Sequence, residues 1–148
     1  MDLTYRPRRM RRSASIRSMI RENTLTSRDF IYPLFVHEGV ERQPIPSMPG
    51  AYRWSIDGLL EEAQRAWELG IKCIVLFPKV SDALKTENGE ECFNEAGLIP
   101  RAIRRLKQYL PEMTIMTDVA LDPYSCDGHD GIVSADGEVL NDETIDNL

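Results

Sequence analysis

The segment DVALDPYSCDGHDGIV, residues 118–133, gathers Asp118, Asp122, Asp127 and Asp130 with Cys126 and His129 directly after an apolar run. Carboxylates at this density suit three kinds of chemistry: holding a hard cation such as Mg2+, sharing a proton for general acid–base work, or receiving a cationic substrate. Each answers the same physical difficulty. Two carboxylates ~5 Å apart at an effective dielectric of ~20 repel by roughly 3 kcal/mol, about two pKa units. A lysine or arginine brought from elsewhere in the protein would answer it too. In an extended strand alternate side chains share a face, so Asp118, Ala120 and Asp122 are expected on one side and Val119 and Leu121 on the other. Gly128 and Gly131 permit a tight return that carries His129 and Asp130 back toward the pair. Asp118, Asp122 and Asp130 are therefore the candidate functional carboxylates, while Asp127, Asp136 and Asp142 read as turn and cap residues.

Other chemistry is less well supported by the residue pattern. Tyr124 and Cys126 fall where an EF-hand would need oxygen ligands after Asp122. Zinc would need partners for Cys126 and His129 that nothing nearby provides. The cysteines Cys73, Cys92 and Cys126 are odd in number and lack a CxxC spacing, which argues against a disulfide framework and for a reducing compartment, cytoplasmic or organellar. His37 is a lone histidine, read as structural. Lys79, in LFPKV, stands where a Schiff-base amine could sit, yet nothing in the sequence marks it as desolvated, so it reads as a rim lysine.

The elements that must position these residues alternate. The runs at 30–36, 71–77 and 113–121 read as strands, although Pro33 counts against a central place for the first. The nearly unbroken apolar character of the second predicts burial on both faces of a parallel sheet. Between them lie two amphipathic helices. One buries Leu59, Leu60, Ala63, Ala66 and Trp67, with Asp57 and Gly70 as expected caps; the other buries Ile99, Ala102, Ile103, Leu106 and Leu110, with Pro100 in its first turn. A third helix is expected to begin near Asn141 or Asp142. Helix-to-strand links are one or two residues, whereas the strand-to-helix loops at 37–56, 78–96 and 122–141 each run to about twenty. All three long loops follow the carboxyl ends of strands, the face on which barrels and doubly wound sheets carry their sites. Asp136-Gly137 predicts a hairpin that would form a β-flap over the site at about 122–141. Three βα units cannot close a barrel, so the chain is expected to be the N-terminal portion of a larger α/β protein, ending at Leu148.

The net charge of −6 conceals an asymmetry. Residues 1–28 carry eight arginines against Asp2 and Glu22, a net of +6, and the other ten basic and twenty-two acidic residues net −12. The head, RPRRMRRSASIRSMIREN, is expected to form a short amphipathic helix capped by Ser13 or Ser15, and reads as an arm that lies across an acidic neighbouring subunit. Organelle targeting and nucleic-acid binding compete with that reading. With only Tyr5 beside the arginines and an acidic remainder, no nucleic-acid partner is expected. The absence of eighteen consecutive apolar residues leaves no membrane span to expect.

The stretches RPRRMRRS, FIYPLFVHEG, PIPSMPG, LFPKV and above all DVALDPYSCDGHDGIV followed by GEVLNDET resemble the N-terminal half of the porphobilinogen synthase family, also called 5-aminolevulinate dehydratases. The resemblance covers essentially the whole chain. It implies a (β/α)8 TIM barrel, a lyase that condenses two 5-aminolevulinate molecules to porphobilinogen with loss of two waters, and a homo-oligomer, usually an octamer, assembled through the arm at 1–28. The zinc-dependent branch carries cysteines at the positions of Ala120, Asp122 and Asp130 here. The chain is thus similar to the aspartate-rich branch, which implies Mg2+ rather than zinc, with Asp122 and Asp130 as its candidate ligands. The two Schiff-base lysines of the family lie beyond Leu148, so the chain alone is expected to be inactive, with Asp118, Asp122 and Asp130 in supporting roles. The compartment expected is the cytoplasm, or the plastid in a photosynthetic eukaryote. The competing readings are another cation-assisted or Schiff-base barrel lyase or aldolase, and a non-enzymatic interaction module.

Overall fold

The computed structural model describes residues 4–148. Its arm holds a 3-10 turn at Pro7–Arg11 and a short helix, α1 (Ala14–Met19), and neither buries a residue fully. Ser13 caps α1, its Oγ accepting the Ile16 N–H at 3.2 Å. Met19 is left 84% exposed, while Ile16 on the same helix is half-buried.

The remainder is built on one sheet. β1 (Ile31–His37), β4 (Cys73–Lys79) and β5 (Thr114–Thr117) run parallel as consecutive neighbours. Two short strands were not anticipated: β2 (Gln43–Pro44) and β3 (Tyr52–Trp54) fold from within the first long loop and extend the sheet to the order β2-β3-β1-β4-β5. β3 joins β1 in parallel at Phe35 and Val36 only. The rest of that flank of β1 is therefore unpaired, which lets an interior strand carry Pro33.

α2 (Ile56–Glu68) follows β3 and leads into β4, and α3 (Leu98–Tyr109) links β4 to β5. Their apolar stripes, Leu59, Leu60 and Ala63 on one and Leu98, Ala102 and Leu106 on the other, close over Leu34, Val36, Ile74 and Leu76 in a single core. The alternate positions, Phe35, Val75 and Phe77, stay half-buried and Met116 is 43% exposed. Within this chain the burial of β4 is complete on the helix face and partial on the other. Helices cover one face of this sheet, and the other is open apart from the loops above it.

Helix ends follow local chemistry. Ser55, not Asp57, caps α2, its Oγ accepting the Gly58 N–H at 3.1 Å. Asp57 sits in the first turn and pairs with Arg105 of α3 at 3.0 Å. Past the other end, Gly70 adopts φ +91 while Ile71 N–H reaches the Ala66 carbonyl and Gly70 N–H the Trp67 carbonyl, a Schellman closure that requires the left-handed residue. α4 (Asn141–Asn147) begins near the expected place, although neither Asn141 nor Asp142 caps it; the cap position is Leu140, without a side-chain bond.

Candidate active site

β5 ends at Thr117, four residues before the expected boundary, so Asp118 and Asp122 do not sit on one strand face. Past Thr117 the chain leaves the sheet. Leu121, 1% exposed, anchors it in the interior, and its carbonyl accepts both the Tyr124 and Ser125 N–H groups at 2.8 Å. That turn does what strand alternation was expected to do. It swings Asp122 back beside Asp118, and both line one cavity of about 380 Å3 at the carboxyl ends of β1, β4 and β5.

Sheet register explains the cavity floor. Arg53 of β3 lies opposite Phe35 of β1, and Phe35 opposite Phe77 of β4. Leu76 pairs with Thr117, so Asp118 follows beside Phe77 on the β5 side. Read across the sheet, the row is a guanidinium, two aromatic rings and a carboxylate. The rings are 5.6 Å apart between centroids and tilted by 31°.

Asp130 does not line the cavity, but its carboxyl lies near enough to that of Asp122 to act on it. Asp122 is accordingly held above the ordinary carboxylate range, by partial burial first, then by the bond to Asp130 and by the charges of Asp130 and Asp118; Lys85 opposes the shift. Lys85 also lines the cavity, with its side chain 22% exposed and its Nζ 3.9 Å from Asp82. Tyr124 closes the cavity, its hydroxyl pushed up to about 12, chiefly by burial.

Arg53, Lys85, the two rings and Tyr124 were not singled out in the sequence. Phe35 and Phe77 could have been found from strand alternation. Lys85 had no local signal, because the second loop is brought against the third by backbone pairing, where Thr86 N–H reaches the Tyr124 carbonyl at 3.2 Å and Cys126 N–H the Thr86 carbonyl at 3.0 Å.

Lys79 lines the cavity, yet its Nζ bonds Asp82 at 2.8 Å and its side chain is 46% exposed, the condition of a rim lysine. His129 and Cys126 are exposed, and Cys126 Sγ lies 3.9 Å from Asp127 Oδ1. Cys73, Cys92 and Cys126 are all free thiols. Cys92 donates to the Asn147 carbonyl at 3.2 Å, and burial pushes its thiol up. Asp127 and Asp136 are exposed in turns.

The hairpin forms at Asp136-Gly137, with Gly137 at φ +83 and Ser134 N–H reaching the Glu138 carbonyl at 2.8 Å, but it pairs only through the bridge between Val133 and Val139. Of the segment 122–141, Asp122, Pro123 and Tyr124 line the cavity. The hairpin base packs on α4 instead, where Thr144 Oγ1 accepts the Ile132 N–H at 3.0 Å.

Among the described residues no three His, Cys, Asp or Glu side chains gather closely enough to hold a metal ion. Structural zinc, which takes four protein ligands, does not fit. Mg2+ commonly binds one or two carboxylates and keeps its waters, so the Asp122–Asp130 pair suits it in donor type and number.

Residues 4–148 match the family model for delta-aminolevulinic acid dehydratase. The chain belongs to that family. It is 55% identical over 150 residues to the chloroplastic delta-aminolevulinic acid dehydratase of Selaginella martensii, covering 100% of this chain and 36% of that protein. It is 57% identical over 139 residues to the Pisum sativum enzyme of the same name, covering 93% and 35%. The chain thus spans about a third of the length of these relatives. The crystal structure of the Toxoplasma gondii ME49 enzyme, in complex with the reaction product porphobilinogen, superposes with a TM-score of 0.95 at 46% identity, covering 98% of this chain and 42% of that one. An α/β chain with a mixed sheet, matched so closely to part of a porphobilinogen synthase, agrees with the N-terminal portion of a TIM barrel.

Proposed function

We propose that this chain contributes the first βα units and the aspartate wall of an enzyme that condenses two molecules of 5-aminolevulinate to porphobilinogen with loss of two waters. The observation that carries the reading is the convergence of Asp118 and Asp122 on an aromatic-floored cavity at the strand tips of a chain in this family. A 5-aminolevulinate molecule is a zwitterion whose charged ends are separated by three methylenes and a ketone. Its ammonium group meets Asp118 and Asp122, its methylenes lie over Phe35 and Phe77, and the positive potential of Arg53 and Lys85 draws its carboxylate into the cavity. Asp122, raised above the ordinary carboxylate range beside Asp130 and Asp118, is placed to give or take a proton as the waters leave.

Mg2+ at Asp122 and Asp130 would supply the positive charge that offsets the repulsion of the clustered carboxylates. The basic arm at 1–28 is proposed to join copies of the protein into an oligomer. The plastid is the compartment favoured by the chloroplastic names of the relatives.

The test is colorimetric detection of pyrrole from 5-aminolevulinate by the full-length protein that contains this chain, with and without Asp118→Asn. Robust turnover that falls at least about a hundredfold in the variant supports the reading. Absence of pyrrole from the unsubstituted protein, across a Mg2+ titration, overturns it.

A further inference from the structure

The loop leaving the carboxyl end of β1 is built around a buried imidazole that the proposed chemistry does not use. His37 is 5% exposed. Its Nε2 lies 2.9 Å from the Glu41 carbonyl oxygen, and its Nδ1 lies 3.1 Å from the Gly39 backbone nitrogen. A carbonyl only accepts and an amide N–H only donates. The partners therefore assign a neutral ring with its proton on Nε2 and its lone pair on Nδ1. Gly39 approaches so closely that a Cβ there would stand 2.4 Å from His37 Cε1, so the ring occupies the space of a side chain. An imidazolium would point an Nδ1–H at the Gly39 N–H, donor against donor.

The charged groups around the ring come from each neighbouring element. Glu38 and Glu41 stand on the loop itself, Asp57 on α2, Arg101 on α3, and Lys79 of β4 is in register with His37. Glu38 is bonded to Arg101, Asp57 to Arg105 and Lys79 to Asp82, while Arg53 of β3 lines the aspartate cavity. Glu38, Asp57 and Lys79 are thus each held by a partner, and the ring's own polar contacts are the two to the backbone.

We propose that His37 is a positioning residue and a proton-sensitive latch. Neutral, it closes the 37–41 turn beyond the carboxyl end of β1; protonated at Nδ1, it releases the Gly39 amide and the turn opens. The turn leads straight to Arg42, which stacks on Tyr52 with its guanidinium 4.6 Å from the ring centroid, and thence to β3 and Arg53. Opening therefore loosens the wall opposite the aspartates.

NMR and amide exchange on the full chain, from about pH 8 to about pH 5, would follow the His37 ring and the Gly39 amide together. The readout involves no turnover, so its failure is distinct from failure of the proposed activity. The expected result is a common midpoint for both groups and a Gly39 protection factor about tenfold lower on the acid side. His37→Asn, whose Oδ1 can accept from Gly39 but cannot titrate, should keep its protection at both extremes. Gly39→Ala should lack it already at pH 8. A Gly39 amide unmoved while His37 titrates, a ring that does not titrate in this window, or a transition that survives in His37→Asn would each overturn the proposal.

Discussion

Replacing Asp122 by asparagine tests the electrostatics of the aspartate wall without turnover. Asp122 is held above the ordinary carboxylate range, so ionising it costs the folded state. For a raised acid the sign is definite. The cost is absent below the unfolded value of ~3.9, grows as pH rises, and is complete above the folded value. Two unit charges ~4 Å apart are worth ~4 kcal/mol at a dielectric of ~20 and ~1 kcal/mol in water. Asp122 is largely solvent-exposed, so the lower figure applies. An asparagine amide can still donate to Asp130. Asp122→Asn should therefore stabilise the protein by about 1 kcal/mol at pH 7, roughly fivefold in the folding equilibrium, and by nothing measurable near pH 3. Urea unfolding in metal-free buffer at the two pH values reads the difference. Equal effects at both, or a loss of stability at pH 7, would refute the account of a strained acid pair.

Three further outcomes follow from the packing. Lys85→Met removes the cation that opposes the Asp122 shift, so the Asp122 carboxyl should titrate at still higher pH, measurable from its carbon chemical shift. Leu76→Ala empties a fully buried position between the sheet and its helices and should cost about 2–5 kcal/mol in denaturant unfolding. Gly70→Ala places a side chain at φ +91 and a Cβ 2.4 Å from Ser27 Oγ, so a loss of more than ~1 kcal/mol is expected by the same assay.

The repeating pattern of the chain was legible because it rests on short-range physics. Apolar spacing in α2 and α3 and the β-rich runs of β1 and β4 have periods that a reader can count. Their ends shifted by one or two residues where a cap competed, as Ser55 did with Asp57. β2 and β3 were missed because two- and three-residue strands have no period to count; they exist through pairing with each other and with β1. The length of β5 was overread for a related reason. An alternating sequence continues past Thr117, but the β4 pairing ends there and Leu121 turns inward.

The candidate site divides in the same way. Its acids, Asp118, Asp122 and Asp130, could be named from their crowding within one loop, because proximity along the chain bounds proximity in space. Sequence by itself also determined the helix faces, the long loops at one end of the sheet, and the basic arm. Tertiary structure alone decided that a turn anchored by Leu121, rather than strand alternation, brings Asp118 and Asp122 together, and that Tyr124 of the same turn lines their cavity. It alone brought Lys85 and Arg53 from two other loops to face the acids. Charges separated by many residues of chain have no sequence signature of their meeting, since the energy that joins them comes from sheet register and core packing rather than from their own attraction.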